Sequence, residues 1–477
     1  YHNRIVINKN AALGAIDRRN GMNLRELVQQ MQPQLLACLQ ENLRIPSVQG
    51  AAEPGAPYGA AVRQSLDHVL AAARKLGLRT VNMDGQLGWC EYGEGDEMVA
   101  VLGHLDVVPA GDGWSVDPWG GEIRDGRIFG RGTMDDKGPS IAAMFALAAL
   151  KQSGLPLRRR VRVMFGCNEE TGAADMKHYL AQGGEIPVMG FTPDGEYPVI
   201  NGEKGIINAA FVRKLNQTGE LRILSIQGGT AGNVVPATAQ ARLACSRELA
   251  QRIAQLNSHK VSFTLTEEGL LVQTRGVSAH GSTPEQGENA IGRLMLTLDT
   301  LPFEGDGADA IHFLATRLGM EIGGESLGIA LIDAPSGGLT LNWGTLEGDE
   351  SQWRLKLNYR YPVTKEYTDC APILDAAFQE AGFVKESEQH KAKLYIPEDS
   401  ELVQTLLRVY EAQTGLPGQA KSIGGGTYAK SLPNILAFGP VFPGDEIREH
   451  KPDEFMELSR LMENAQLIGG AMYEMAK

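Results

Sequence analysis

Apolar positions recur at helical spacing near the start of the chain (Leu24, Leu27, Val28, Met31, Leu35, Leu36, Leu39), predicting an amphipathic helix that opens at Met22. Three short apolar runs come next along the chain, Met98 to Leu102, Val161 to Phe165 and Val188 to Phe191. Each has strand length and lacks helical periodicity. Between the first two, Ser140 to Leu150 (SIAAMFALAAL) reads as a buried helix introduced by Gly138-Pro139. Strands alternating with helices predict an α/β fold, a mainly parallel sheet with helices on both faces.

The character changes at about 206. Strand-like stretches (Ile206 to Phe211, Ser262 to Leu265, Leu270 to Thr274, Trp353 to Tyr359) alternate with helical ones (Ala290 to Leu301, Ile373 to Ala381), as in an α+β domain. From 389 the chain returns to a helix (Ser400 to Thr414), a Gly-rich turn, a short strand (Ile435 to Phe438) and a final helix (Pro452 to Met475). The expected organisation is therefore a catalytic α/β domain in two parts, 22–205 and 389–477, interrupted by an inserted α+β lid domain, 206–388. Residues 1–21 differ in character from the rest of the chain and read as a tag-like or disordered extension.

Polar residues stand just past the carboxyl end of each apolar run: His104 after the first, Glu169 and Glu170 after the second, Asp194 after the third. That edge of an open α/β sheet is where ligands bind. Each signal has a plain alternative. His104-Leu105-Asp106 suits a metal ligand and its orienting carboxylate, or a surface hydrogen bond. Asp135, in the glycine-flanked GRGTMDDKG, can approach a cation closely or cap the helix from Ser140. Glu169-Glu170 is costly in a low-dielectric cleft without a cation and costs almost nothing on a surface. Asp194 fits a turn, and His450 fits the entry to the last helix. Taken jointly, two histidines and several carboxylates form the donor set of a dinuclear zinc or manganese hydrolase, with Glu169 as the base that activates a water.

Charge and cysteine usage narrow the partners. The net charge is −13, and residues 1–21 are basic, so the acidity belongs to the remainder. An acidic body disfavours nucleic acid and anionic membrane as partners. Five cysteines without a CxxC spacing indicate neither a disulfide framework nor a cysteine zinc site, and a reducing, cytoplasmic setting is expected. No apolar stretch approaches the length of a membrane span.

The segments GHLDVVPAGDGW, GRGTMDDKGP, CNEETG, TPDGEYP, GVSAHGSTPEQGENA, NYRYP, GGGTYAK and EHKPDEF occur in this order. Together they closely resemble the PepV-type dipeptidases, from a metallopeptidase family that includes aminoacylases, succinyl-diaminopimelate desuccinylase, carboxypeptidase G and carnosinases. The resemblance runs from Met22 to the end. It implies that His104 and Asp194 bind one divalent ion, Glu170 and His450 a second, and Asp135 bridges them, with zinc as the first expectation and manganese as the second. It further implies that Asp106 orients His104, Glu169 is the general base, and His280 in the insert steadies the oxyanion. Arg360 is implied to pair with the substrate's terminal carboxylate, with Asn233, Gly425, Gly426 and Thr427 as further substrate contacts. Lys430 and Lys451 depart from the residues usual in the family and leave side-chain preference open. The long insert resembles the enlarged PepV-type lid and implies a monomer. The expected activity is hydrolysis of dipeptides. An N-acyl-amino-acid deacylase or carboxypeptidase of the same family is the alternative, and a catalytically silent binding protein on the scaffold a more distant one.

Overall fold

The computed structural model describes residues 23–477, so the extension expected over 1–21 lies outside the described residues. The chain forms two compact units. One comprises the chain up to Asn201 with Ile396–Lys421 and Gly426–Lys477; the other comprises Gly202–Tyr395 and Ser422–Gly425.

The strands β1 (Arg79–Met83), β2 (Leu87–Tyr92), β3 (Met98–His104), β4 (Arg160–Gly166), β5 (Met189–Thr192), β6 (Val199–Glu203, of which the first unit holds residues 199–201) and β7 (Ile435–Ala437) lie in the order β1-β2-β4-β3-β5-β7-β6. The centre is parallel, through the pairs β4/β3, β3/β5 and β5/β7, while β1/β2, β2/β4 and β7/β6 are antiparallel. Every residue of β3 is buried, as a strand covered on both faces requires. On one face Val99, Val101, Val161, Val163 and Phe165 join the core formed with the helices Lys137–Ser153 and Leu458–Ala476. On the other, Arg162 reaches the hydroxyl of Tyr179 in the helix Ala174–Ala181.

Two predicted helices take different forms. The first is split into Leu24–Gln30 and Gln32–Leu43 at Met31, because Pro33 fits the first turn of a new helix but not the interior of a continuous one. The last begins at Leu458 rather than Pro452, because Phe455–Glu457 pairs antiparallel with Arg127–Phe129 instead of entering the helix.

The second unit is an eight-stranded antiparallel sheet. Helices Ala290–Leu298, Gly305–Arg317 and Ala371–Glu380 share its core. Strand alternation sends Ile207, Phe211, Leu355, Leu357 and Tyr359 into that core. Their neighbours Asn208, Asn358 and Arg360 are left on the opposite, polar face.

Candidate metal centre

The sheet of the first unit delivers three of the expected ligands from neighbouring strand ends. His104 is the last residue of β3 and 0% exposed, while Glu170 and Asp194 come just after the ends of β4 and β5. Two glycines make room. A side chain at Gly103 would collide with Ser140 and Asp136, and one at Gly166 would collide with the ring of Tyr428.

Asp135 lies just before the helix Lys137–Ser153 and spans both imidazoles. Its Oδ1 is 2.9 Å from His104 Nε2, and its Oδ2 is 2.8 Å from His450 Nε2. Asp194 Oδ2 is 3.7 Å from His104 Nε2, and Glu170 Oε2 is 3.3 Å from His450 Nε2. Two donor groups result, His104–Asp135–Asp194 and Asp135–Glu170–His450, which share one carboxylate. His450 arrives from a loop and holds a left-handed backbone (φ 58°), uncommon for a histidine and typical of positions held by a functional constraint.

The electrostatics fit cations. His104 Nε2 and Glu170 Oε1 are buried without a hydrogen-bond partner, although His104 Nε2 lies close to a carboxylate; the proximity lacks hydrogen-bond geometry. Nitrogen and oxygen donors converging in this way suit a divalent metal of the zinc or manganese type. Without a cation the acids crowd one another. Burial, reinforced by Asp194, Asp135 and Glu170 and opposed by His104, pushes the Glu169 carboxyl up to about 8. Burial also raises Asp194 and Glu170. Asp135 and Glu170 lift the His450 imidazole to about 11. Burial opposes protonation of His104, but Asp106, Asp135 and Asp194 outweigh it and hold the ring well above its ordinary value.

Asp106 meets the His104 ring through two of its groups. His104 Nδ1 lies 2.9 Å from the Asp106 backbone carbonyl and 3.5 Å from its carboxylate. The Asp106 carboxylate also accepts the backbone N–H groups of Glu169 and Glu170, both at 3.1 Å. It thus fixes the backbone of Glu169 and Glu170, while the peptide group of the same residue meets the histidine ring. Asp175 accepts from the amides of Cys167 and Asn168 and from the hydroxyl of Tyr428, whose ring meets His104 edge-on. Asp136 accepts from the His104 amide and the Ser140 hydroxyl. Asp136, Asp175, Tyr428, Arg131 and Glu454 have no role that the sequence pattern predicts. Their signal is a buried charge or hydroxyl aimed at loop amides, which no spacing rule exposes.

The remaining expected residues are described within the second unit, apart from Gly426 and Thr427. Arg360 is 4% exposed; its Nε donates to Asn358 Oδ1 (3.1 Å) and its Nη1 to the Gly424 carbonyl (2.5 Å). Asn358 in turn donates to Asn208. Among the described residues no carboxylate forms an ion pair with Arg360, and burial lowers its pKa to about 10. His280 is exposed. Its Nδ1 accepts the Ser282 amide (3.3 Å) and lies 2.6 Å from the Ser282 hydroxyl, which leaves the proton of the neutral ring on Nε2. Partial shielding from solvent, together with Arg360, lowers its pKa and favours that neutral form. Asn233 is exposed, and its carbonyl accepts the Gly281 amide beside His280. Gly425 belongs to the second unit and Gly426 and Thr427 to the first; the Thr427 hydroxyl caps the turn Tyr428–Ser431.

Residues 100–474 match the description Peptidase family M20/M25/M40. The chain belongs to this family. M20/M25/M40 peptidases use divalent metal ions, the cofactor class that the two donor groups accommodate. The chain is 39% identical over 472 residues to YtjP of Bacillus subtilis, a candidate dipeptidase, covering 96% of this chain and 100% of the relative. It is 34% identical over 475 residues to the Beta-Ala-Xaa dipeptidase of Lactobacillus delbrueckii subsp. lactis, covering 96% and 99%. The crystal structure of aminoacylhistidine dipeptidase from Vibrio alginolyticus shares the fold, with a TM-score of 0.59 at 14% identity over 94% of this chain and 98% of that one. No helix among the described residues is long and apolar enough to cross a membrane.

Proposed function

We propose that this family member is a dipeptidase that binds two divalent cations, zinc in the first instance, and hydrolyses the peptide bond of dipeptides. The observation that carries the reading is Asp135, one carboxylate whose two oxygens meet His104 on one side and His450 on the other. Relatives named as dipeptidases over nearly the full chain support the substrate class.

His104, Asp135 and Asp194 would hold one cation, and Asp135, Glu170 and His450 the other. Bound there, the cations supply Lewis acidity that brings a water's pKa toward neutrality and polarises the scissile carbonyl. Glu169 belongs to neither donor group, and its backbone is held by Asp106. It takes the proton from the attacking water and delivers it to the departing amine. The Nε2–H of neutral His280 is assigned to the developing oxyanion. Arg360 is assigned to the terminal carboxylate of the substrate, which its buried guanidinium, without an ion pair among the described residues, suits in charge and shape. We expect a monomer.

The test is elemental analysis together with a panel of dipeptides, N-acyl amino acids and longer peptides, assayed before and after chelation. Turnover of dipeptides that is lost on chelation and restored by zinc or manganese is expected. Preferential turnover of N-acyl amino acids would instead assign a deacylase, and turnover indifferent to chelation would overturn the metal-dependent reading.

A further inference from the structure

The loop that carries His450 and the loop that carries Asp135 are tied together by one buried acid. Glu454 is 0% exposed. Its Oε1 accepts the backbone N–H groups of Gly132 (3.1 Å), Met134 (2.8 Å) and Asp135 (3.2 Å). Its Oε2 accepts Arg131 Nη1 at 2.6 Å, and its carbonyl accepts the Gly130 amide at 3.0 Å. Arg131 is buried too; it donates to the carbonyls of Ala110 (3.3 Å) and Lys451 (3.4 Å) and lies over the ring of Trp114.

The two donor groups differ in how they are supported. His104 and Asp194 project from the ends of β3 and β5, adjacent strands whose spacing the sheet fixes. His450 has no strand beneath it, and its side chain is 54% exposed. We propose that Glu454, braced by Arg131, is the positioning residue that sets the separation of Asp135 and His450, and so governs the affinity of the cation held by Asp135, Glu170 and His450. This rests on the two-cation reading of the site.

The chemistry requires a carboxylate. A glutamine could keep one oxygen for the three amides, but it would turn an NH2 group toward the Arg131 guanidinium, donor against donor. Glu454→Gln therefore loosens the link with almost no change in volume. The experiment is a titration of metal-free wild type and Glu454→Gln with zinc in competition with a chromophoric chelator, alongside thermal melting. The wild type is expected to bind two cations. The variant is expected to bind the first within about threefold of wild-type affinity and the second about 10–100-fold more weakly, the range typical of residues that support metal ligands. Two wild-type-like binding steps in the variant, or equal weakening of both, would overturn the proposal. A wild type that binds one cation would overturn the two-cation reading instead. If Glu454→Gln does not fold, Glu454→Asp is titrated in its place; it keeps the charge but withdraws the oxygens from the amides, and the same selective loss is expected.

Discussion

Replacing Arg360 with methionine separates its service to a ligand from any service to the fold. Burial lowers the guanidinium from its ordinary pKa to about 10. At 1.36 kcal/mol for each tenfold change in proton affinity, holding this charge without an anion costs roughly 3 kcal/mol. Against that stand the hydrogen bonds from the charged guanidinium to Asn358 and Gly424, worth about 1.5 kcal/mol each for neutral acceptors. Methionine fills similar space without a charge, so the gain and the loss nearly cancel. The melting temperature of Arg360→Met should stay within about 4 °C of wild type or rise, at roughly 2–4 °C per kcal/mol for a domain of this size. Substrate recognition should fare differently. Two charge-assisted hydrogen bonds to a terminal carboxylate contribute about 1.5–3 kcal/mol each, so kcat/KM for a dipeptide should fall at least ~100-fold. The assay compares a dipeptide with its C-terminal amide on both proteins. The wild type should discriminate strongly against the amide, and the variant hardly at all, since the two changes remove the same interaction. Equal discrimination by both proteins would refute the assignment. A melting temperature more than about 10 °C lower would show that the guanidinium braces the fold rather than awaiting an anion.

Three further outcomes are expected. Glu169→Gln should retain both cations by elemental analysis while turnover falls by about 10²-fold or more, the contribution of a positioned general base; turnover near wild type would remove Glu169 from that role. Stability of the chelated protein should decline as pH rises from about 6 to 9. The folded-state values of Glu169 and His450 are both raised above their unfolded ones, so each contributes stability at low pH that is lost as pH climbs through about 8 and toward about 11. Melting curves with and without zinc test this, and a chelated protein that gains stability over that range would contradict the sign. Light scattering at micromolar concentration should give the mass of a single chain, and a stable dimer would contradict the expected monomer.

The sequence by itself went far because strand ends are visible in an apolar pattern. Once Met98 to Leu102, Val161 to Phe165 and Val188 to Phe191 are taken as neighbouring parallel strands, their carboxyl ends share an edge, and His104, Glu170 and Asp194 fall together. The joint motif order added Asp135 and His450, which lie 315 positions apart and have no periodicity to connect them. Tertiary structure alone decided what holds these residues in place. It showed that Asp106 gives its carboxylate to the amides of Glu169 and Glu170, and that Glu454 gathers the amides around Asp135. It also showed that residues 455–457 extend a small sheet before the last helix begins. The physical reason is common to these cases. Periodicity reports which way a side chain faces on a regular element, whereas a buried carboxylate chooses its partners among loop amides, and those meet only after distant segments have folded against one another.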